Sequence, residues 1–212
     1  FYLPSFSLHI FHGNDNEEYV KNIIKDWKNV KLTNINKSNL VKTKYSELLK
    51  SKWFYDQIYC ENILIFQTDV ILLKNNIDQF LHYDYIGAPW KNSGTTFGIK
   101  VGNGGLSFRK KSKMLYIIEN ATHKKSSEDV FFSYYCKEFG FNVPSVEIAK
   151  TFSVETIYYD NPFGLHKSYY FLEENKIEKL LNNDEKYVYC PFRKGMGLNN
   201  RRQILEFCIL IS

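Results

Sequence analysis

The chain is poor in the features that would place it quickly. Its four cysteines, at 60, 136, 190 and 208, form no Cys-x-x-Cys pair and have no zinc spacing, which excludes a structural zinc module. Cys60 and Cys136 stand in apolar surroundings and are expected to be buried thiols of an intracellular, cytoplasmic protein. No apolar run reaches transmembrane length and no secretory leader opens the chain, so no membrane span is expected. Blocks of one charge are also missing. The 28 Lys and Arg are scattered among 23 Asp and Glu for a net charge of +5, which does not call for a nucleic-acid partner and suits a small anionic substrate. There is no internal repeat and no low-complexity stretch. A hydrophobic content of 44% over 212 residues excludes disorder and allows one domain with a real core. Aromatics are plentiful at 17%; most serve a core, and tyrosine also suits sugar and base binding. The chain starts Phe1-Tyr2-Leu3-Pro4 and stops within an apolar run at Cys208-Ile209-Leu210-Ile211, and reads as a segment of a longer polypeptide.

Patterning alternates strands and helices. Ser7-Leu8-His9-Ile10-Phe11-His12 is expected to be a strand ending at the turn Gly13-Asn14-Asp15. Helices are expected over 16–28 and 43–56, the first with Val20, Ile23, Ile24 and Trp27 on one face. Ile63 to Phe66 reads as a fully buried central strand, residues 76–80 as a short helix, and Tyr85-Ile86-Gly87 as a strand. A glycine loop follows at 102–109 and enters a strand. Helices come next at 111–120 and 127–138, a helix or strand edge at 147–154, and a loop at 160–169. Such alternation gives an α/β fold with a mainly parallel central sheet flanked by helices.

The informative stretch is Ile63-Leu64-Ile65-Phe66-Gln67-Thr68-Asp69-Val70-Ile71-Leu72-Leu73. A carboxylate between two apolar runs must be hydrogen-bonded, paired or on a metal. Its natural place is the carboxyl edge of the sheet, where open α/β folds bind ligands; the bland reading is a turn cap. Gly102-Asn103-Gly104-Gly105 lets the backbone approach a ligand and frees N–H groups, or makes a tight turn. Arg109 just beyond can pair with a phosphate or with a structural carboxylate. Glu128-Asp129 opens a helix behind Ser126-Ser127. Two adjacent acids cannot face one way, so one can face a cleft as a general base while the other caps or pairs; the simpler reading is compensation of the helix dipole. Pro162-Phe163-Gly164-Leu165-His166-Lys167 sets a metal-ligand type beside a phosphate partner. His9, His12, His82 and His123 have no such company and are read as structural.

In order, an acid at a strand end, a glycine loop and an acid pair opening a helix resemble sugar-nucleotide transferases of the GT-A type. Gln67-Thr68-Asp69 occupies the position of their D-x-D motif, with an amide in place of the first acid. More specifically, the blocks 45–54 (YSELLKSKWF), 63–73, 83–90 (YDYIGAPW), 101–109 (VGNGGLSFR), 128–133 (EDVFFS), 144–155 (PSVEIAKTFSVE) and 162–167 (PFGLHK) resemble DUF5672, a domain regarded as glycosyltransferase-like. The resemblance implies a GT-A-like fold and transfer of a sugar from a nucleotide-sugar donor to an acceptor hydroxyl, metal-assisted and inverting. Mn²⁺ or Mg²⁺ would be held by Asp69, with His166 completing its shell. Gln67, Gly104, Gly105, Arg109 and Lys167 would contact the donor, and Asp129, with Glu128 beside it, would do the acid/base work. The strand and helix that usually precede the match in this family are missing, so the GT-A-like unit at 1–186 is expected to be incomplete at its start. Residues 187–212 resemble the opening of a fucosyltransferase-like GT-B domain and are expected to form a linker and the start of a second domain, with an apolar helix outside the first core. Competing readings are a non-catalytic carbohydrate-binding or scaffold domain derived from a transferase, and a nucleotidyltransferase-type enzyme.

Overall fold

The computed structural model describes residues 6–38, 40–91, 98–123 and 126–182, together with the backbone of 206–211. The chain opens with β1 (Phe6–His12), α1 (Glu17–Ile23) and β2 (Val30–Asn34), followed by α2 (Lys42–Leu49) and α3 (Lys52–Asp56). Next come β3 (Asn62–Phe66), β4 (Val70–Leu72), β5 (Tyr85–Pro89), β6 (Val101–Lys110), α4 (Lys111–Asn120) and α5 (Glu128–Glu138). The remaining elements are α6 (Val146–Phe152), β7 (Ser153–Val154), β8 (Gly164–His166), α7 (Glu174–Leu181) and β9 (Glu206–Ile211). The helix expected over 43–56 is two helices, because Ser51 leaves the helical conformation and accepts the Phe54 N–H as the cap of α3.

The fold is α/β, and its main sheet is mixed rather than mainly parallel. Six strands lie in the order β2-β1-β9-β3-β6-β5. β2, β1, β3 and β5 point one way while β9 and β6 point the other, leaving β1–β2 as the one parallel pair of this sheet. The reason is connectivity. β6 returns directly beside β5, and an antiparallel return needs no helical crossover. A second sheet of three short strands, β4-β8-β7, flanks it.

β9 overturns the expectation of an apolar helix outside the core. Its backbone pairs with β1 from Phe6↔Ile211 to Phe11↔Glu206 and with β3 from Asn62↔Ile211 to Phe66↔Phe207. The glycine-containing stretch 195–201 and Cys190 fall outside the described residues.

Alternation along the strands divides the core into two layers. Leu64 and Phe66 pack with Leu8, Ile10, Phe108, Phe152 and Phe163 on one face. Ile63 and Ile65 pack with Leu49, Phe54, Met114, Phe131 and Phe132 on the other. Cys60 and Cys136 are buried free thiols, as expected from their neighbours. No helix among the described residues is long and apolar enough to cross a membrane.

His9 is fully buried within the sheet, its Nε2 2.7 Å from the Thr33 hydroxyl. Burial, helped by Lys31, lowers its pKa from 6.5 to about 4. In this range the unfolded chain takes up a proton that the folded chain refuses. The contribution is therefore complete above pH 6.5 and is lost as pH falls toward 4, a change on the order of 3 kcal/mol. Denaturant melts of His9→Gln and wild type across that window should show the variant's profile flatter; parallel profiles would mean that His9 does not titrate differently on folding.

Candidate active site

Asp69 stands in the turn that leads from the carboxyl end of β3 into β4. The sequence reading put it at the carboxyl end of a strand in a parallel sheet; β3 is instead antiparallel to both of its neighbours, β6 and β9. β4 pairs with β8 so that Val70 faces His166, which brings Asp69, the residue before Val70, alongside His166 and Lys167. His166 Nε2 lies 3.4 Å from Asp69 Oδ1 and 3.2 Å from Gln67 Oε1. Lys167 Nζ lies 3.5 Å from Asp69 Oδ2 and donates to Gln67 Oε1 at 3.4 Å. Lysine has no acceptor, so this contact identifies the Gln67 atom as the amide oxygen; the amide nitrogen donates to the Tyr45 hydroxyl at 3.1 Å. Lys167 is held in the left-handed region at φ 51°, a backbone cost of about 1–2 kcal/mol for a non-glycine residue, and strain of this kind collects at functional sites.

The electrostatics follow from burial and charge together. His166 is almost wholly buried, which works against its charged form. Asp69 on Nε2 and Glu155 on Nδ1 outweigh this and raise its pKa. Burial would raise Asp69, but His166 and Lys167 prevail and hold it below the usual carboxylate value. Apart from the approach of His166, Asp69 Oδ1 is buried without a hydrogen-bond partner among the described residues. Such an oxygen, beside an amide oxygen and an imidazole nitrogen, suits a cation. Among the described residues no three His, Cys, Asp or Glu side chains converge as metal ligands. The protein's own side chains therefore build no closed metal cage here.

The glycines serve differently from the sequence expectation. On β5 the neighbours Gly87 and Ala88 face Ser107 and Asn103 of β6. Gly104, Gly105 and Leu106 bulge from that ladder, while Leu106 still pairs with Phe66. A Cβ on Gly105 would lie 2.0 Å from the His166 ring, and one on Gly104 would lie 2.0 Å from Glu128 Oε1 and 3.2 Å from Asp129 Cβ. The Gly105 N–H is taken by Asn103 Oδ1 at 3.0 Å. The bulge is thus a thin wall between His166 and the acid pair, and Gly105 does not offer its N–H to a ligand.

Arg109 is a correction. It is fully buried, with Nη2 2.9 Å from Glu128 Oε2, Nη1 donating to the Tyr55 hydroxyl at 3.4 Å and Nε to Ser107 Oγ at 3.0 Å. Its guanidinium lies 5.3 Å from the ring centroids of Tyr85 and Phe132. It is a structural partner of Glu128 and does not reach a donor. Burial pushes the Glu128 carboxyl up to about 7 against the pull of Arg109. Asp129 is half-exposed at the start of α5, with Oδ1 accepting its neighbour's N–H from Val130 at 2.8 Å. Of the pair, Glu128 is the one that pairs and Asp129 the one left toward solvent. No hydrogen bond or ion pair among the described residues joins Asp129 to Asp69 or His166.

Arg109→Ala would strand the Glu128 carboxylate in the core and should cost about 3–5 kcal/mol, whereas Arg109→Met with Glu128→Leu should recover most of it. Denaturant melts decide, and a single variant within 1 kcal/mol of wild type, about the worth of a surface pair, would show that the pair is not a buried determinant.

One residue escaped the sequence reading. Glu155 follows β7, which is parallel to β8 with Val154 level with Leu165, so Glu155 comes level with His166. Its Oε1 is 3.2 Å from His166 Nδ1, and its Oε2 accepts from Asn103 Nδ2 at 2.9 Å. The signal was present: Glu155 is an acid directly after an apolar strand, as Asp69 is.

An acid, an amide, a histidine and a lysine gathered at a strand end of a mixed α/β domain define the class of site. The family model described as Protein of unknown function (DUF5672) matches residues 29–166, which include Gln67, Asp69 and His166 and end one residue before Lys167, and the chain belongs to that family. Comparison with curated proteins gives no match.

Proposed function

We propose that the protein is a GT-A-like glycosyltransferase that moves a sugar from a nucleotide-sugar donor to an acceptor hydroxyl. The observation that carries this reading is the cluster of Asp69, Gln67, His166 and Lys167 after β3. It offers a buried carboxylate oxygen to a cation and a lysine to a diphosphate at the edge where open α/β sheets bind ligands. Four co-directional strands, β2, β1, β3 and β5, interleaved with the opposed β9 and β6 and packed by helices on both faces, are the fold's support for a GT-A-like assignment.

Asp69 and His166 would hold a divalent ion, Mn²⁺ or Mg²⁺, with Gln67 Oε1 in reach. When bound, such an ion neutralises the charge that gathers on the departing diphosphate. Lys167 would add a fixed positive charge at the same phosphates. Asp129, half-exposed beyond the Gly104 wall, would take the proton of the acceptor hydroxyl as its oxygen attacks the anomeric carbon. The bond from that carbon to the diphosphate breaks, and its electron pair leaves with the diphosphate, so the sugar is inverted. Glu128 would support the start of α5 through Arg109 and take no part in the proton transfer. The site would thus be that of a cytoplasmic enzyme acting on a glycan or another hydroxyl compound.

A second reading has one observation in its favour. Lys167 already balances Asp69 at 3.5 Å, so the site is charge-neutralised without a metal, as a non-catalytic binding domain derived from a transferase could be. A thermal-shift screen of nucleotide sugars with and without Mn²⁺ separates the two. An enzyme of this type should be stabilised by one donor class only with the ion present, by about 2.7 kcal/mol at a hundredfold excess over Kd. Stabilisation by free sugars, indifferent to Mn²⁺, would favour the binding domain.

A further inference from the structure

We propose that Tyr45 is a positioning residue of the site: its hydroxyl accepts the Nε2–H of Gln67 and holds the amide so that Oε1 stays beside His166 and Lys167. This rests on the metal-assisted reading above. It names a residue on another element, α2, that would touch neither the ion nor the donor.

Gln67 is fixed at its backbone, where its N–H donates to the Gly105 carbonyl at 2.9 Å and its carbonyl accepts from the Val70 N–H at 3.1 Å. Its side chain is long, and each of its bonds has several staggered wells to choose from. Both ends of the amide are taken. Oε1 receives Lys167 Nζ at 3.4 Å and lies 3.2 Å from His166 Nε2, while Nε2 donates to the Tyr45 hydroxyl at 3.1 Å. The two partners fix different things. Lysine has no acceptor, so Lys167 selects which end of the amide faces it. A tyrosine hydroxyl donates or accepts, so Tyr45 does not select the end; it fixes where the nitrogen lies, and with it the direction of the C=O bond. Among the described residues Tyr45 is the hydrogen-bond partner of Nε2. Tyr45 is itself held. Its ring packs against the core layer that contains Leu49, Phe54 and Ile65, and its N–H donates to the Val41 carbonyl at 3.0 Å. The other end of α2 is tied down as well. Lys50, which caps the helix, donates from Nζ to the Ser126 carbonyl at 2.5 Å and lies 5.4 Å from the centroid of the Phe131 ring. α2 therefore reaches from Gln67 to the residues that lead into α5 and Asp129. An outer partner that orients a metal-facing group counts about 10–100-fold in affinity when it is removed.

The test uses the whole chain, with Tyr45→Phe, Gln67→Ala and the two combined. Tyr45→Phe keeps the ring in its packing and removes only the hydroxyl, so it should melt close to the wild type. The first readout is ¹⁵N relaxation of the Gln67 side-chain amide in metal-free protein, its signal assigned by its absence in Gln67→Ala. That amide should be rigid in the wild type and mobile in Tyr45→Phe. The second readout is Mn²⁺ affinity in the presence of inorganic pyrophosphate. It should fall about 10-fold in Tyr45→Phe and should fall no further when Tyr45→Phe is added to Gln67→Ala. A merely structural Tyr45 would lower the affinity by the same factor in both backgrounds. That result, or a Gln67 amide as rigid in Tyr45→Phe as in the wild type, would overturn the inference. If Gln67→Ala binds Mn²⁺ too weakly to measure, the amide relaxation decides. If the wild type binds no Mn²⁺ while the amide still loosens in Tyr45→Phe, the metal-assisted reading fails and the positioning of Gln67 by Tyr45 stands.

Discussion

Asp69→Ala is expected to abolish Mn²⁺-dependent binding of the donor, and with it transfer, while the protein melts close to the wild-type temperature. The carboxylate is the one full negative charge facing His166 Nε2 and Lys167 Nζ among the described residues. Without it an ion has only neutral donors and a nearby lysine that repels it. The effect on stability should be small. Asp69 sits in a turn, its pair with Lys167 is long and partly open to solvent, a class of contact worth about 1 kcal/mol or less, and both His166 and Lys167 keep Gln67 Oε1 as a neighbour without it. Asp129→Asn should behave differently, keeping donor binding and losing about 10²–10⁴-fold in transfer, since it removes a base and not a charge at the metal. Calorimetry with a nucleotide sugar and Mn²⁺ compares the two. Equal loss of binding in both variants would show that the roles are wrongly assigned.

Deletion of residues 206–212 is expected to unfold the domain or leave it aggregating. β9 lies between β1 and β3 and pairs with both. Its loss would separate β2-β1 from β3-β6-β5 and open two strand edges in the middle of the sheet. Unpaired edges of this kind are templates for association with other chains, and β3 is also the strand that delivers Gln67 and Asp69. The expectation from sequence was the reverse, a tail that begins a second domain and can be removed without cost. Thermal melting and size-exclusion chromatography of the shortened chain decide. A monomer with an unchanged melting temperature would return the tail to the role of an independent segment.

The contrast shows where sequence reasoning reached. Ile63–Phe66 was legible as a buried strand because it is apolar on both faces, and Asp69 as a candidate because a carboxylate there has to be explained. His166 and Lys167 were legible as residue types, but their meeting with Asp69 depends on the β4–β8 pairing inside a stretch that reads as a loop. The direction of the sheet was not legible, since a central strand is equally apolar beside parallel or antiparallel neighbours. β9 was unreadable for the same reason: an apolar run of that length fits a strand or a helix, and only the acceptor edges of β1 and β3 choose. Arg109 beside the glycines suggested a phosphate, yet its partner is Glu128, 19 positions on. Long-range pairing between charges leaves no local pattern. Glu155 was missed because its block was read for resemblance and not residue by residue.

The central claim is most directly tested by incubating the purified protein with a panel of nucleotide sugars, with Mn²⁺ or with chelator, and measuring free nucleoside diphosphate. One donor class should release diphosphate with Mn²⁺, chelator should stop it, and Asp69→Ala should release none. A folded protein that neither binds nor consumes any nucleotide sugar with Mn²⁺ present would contradict the account.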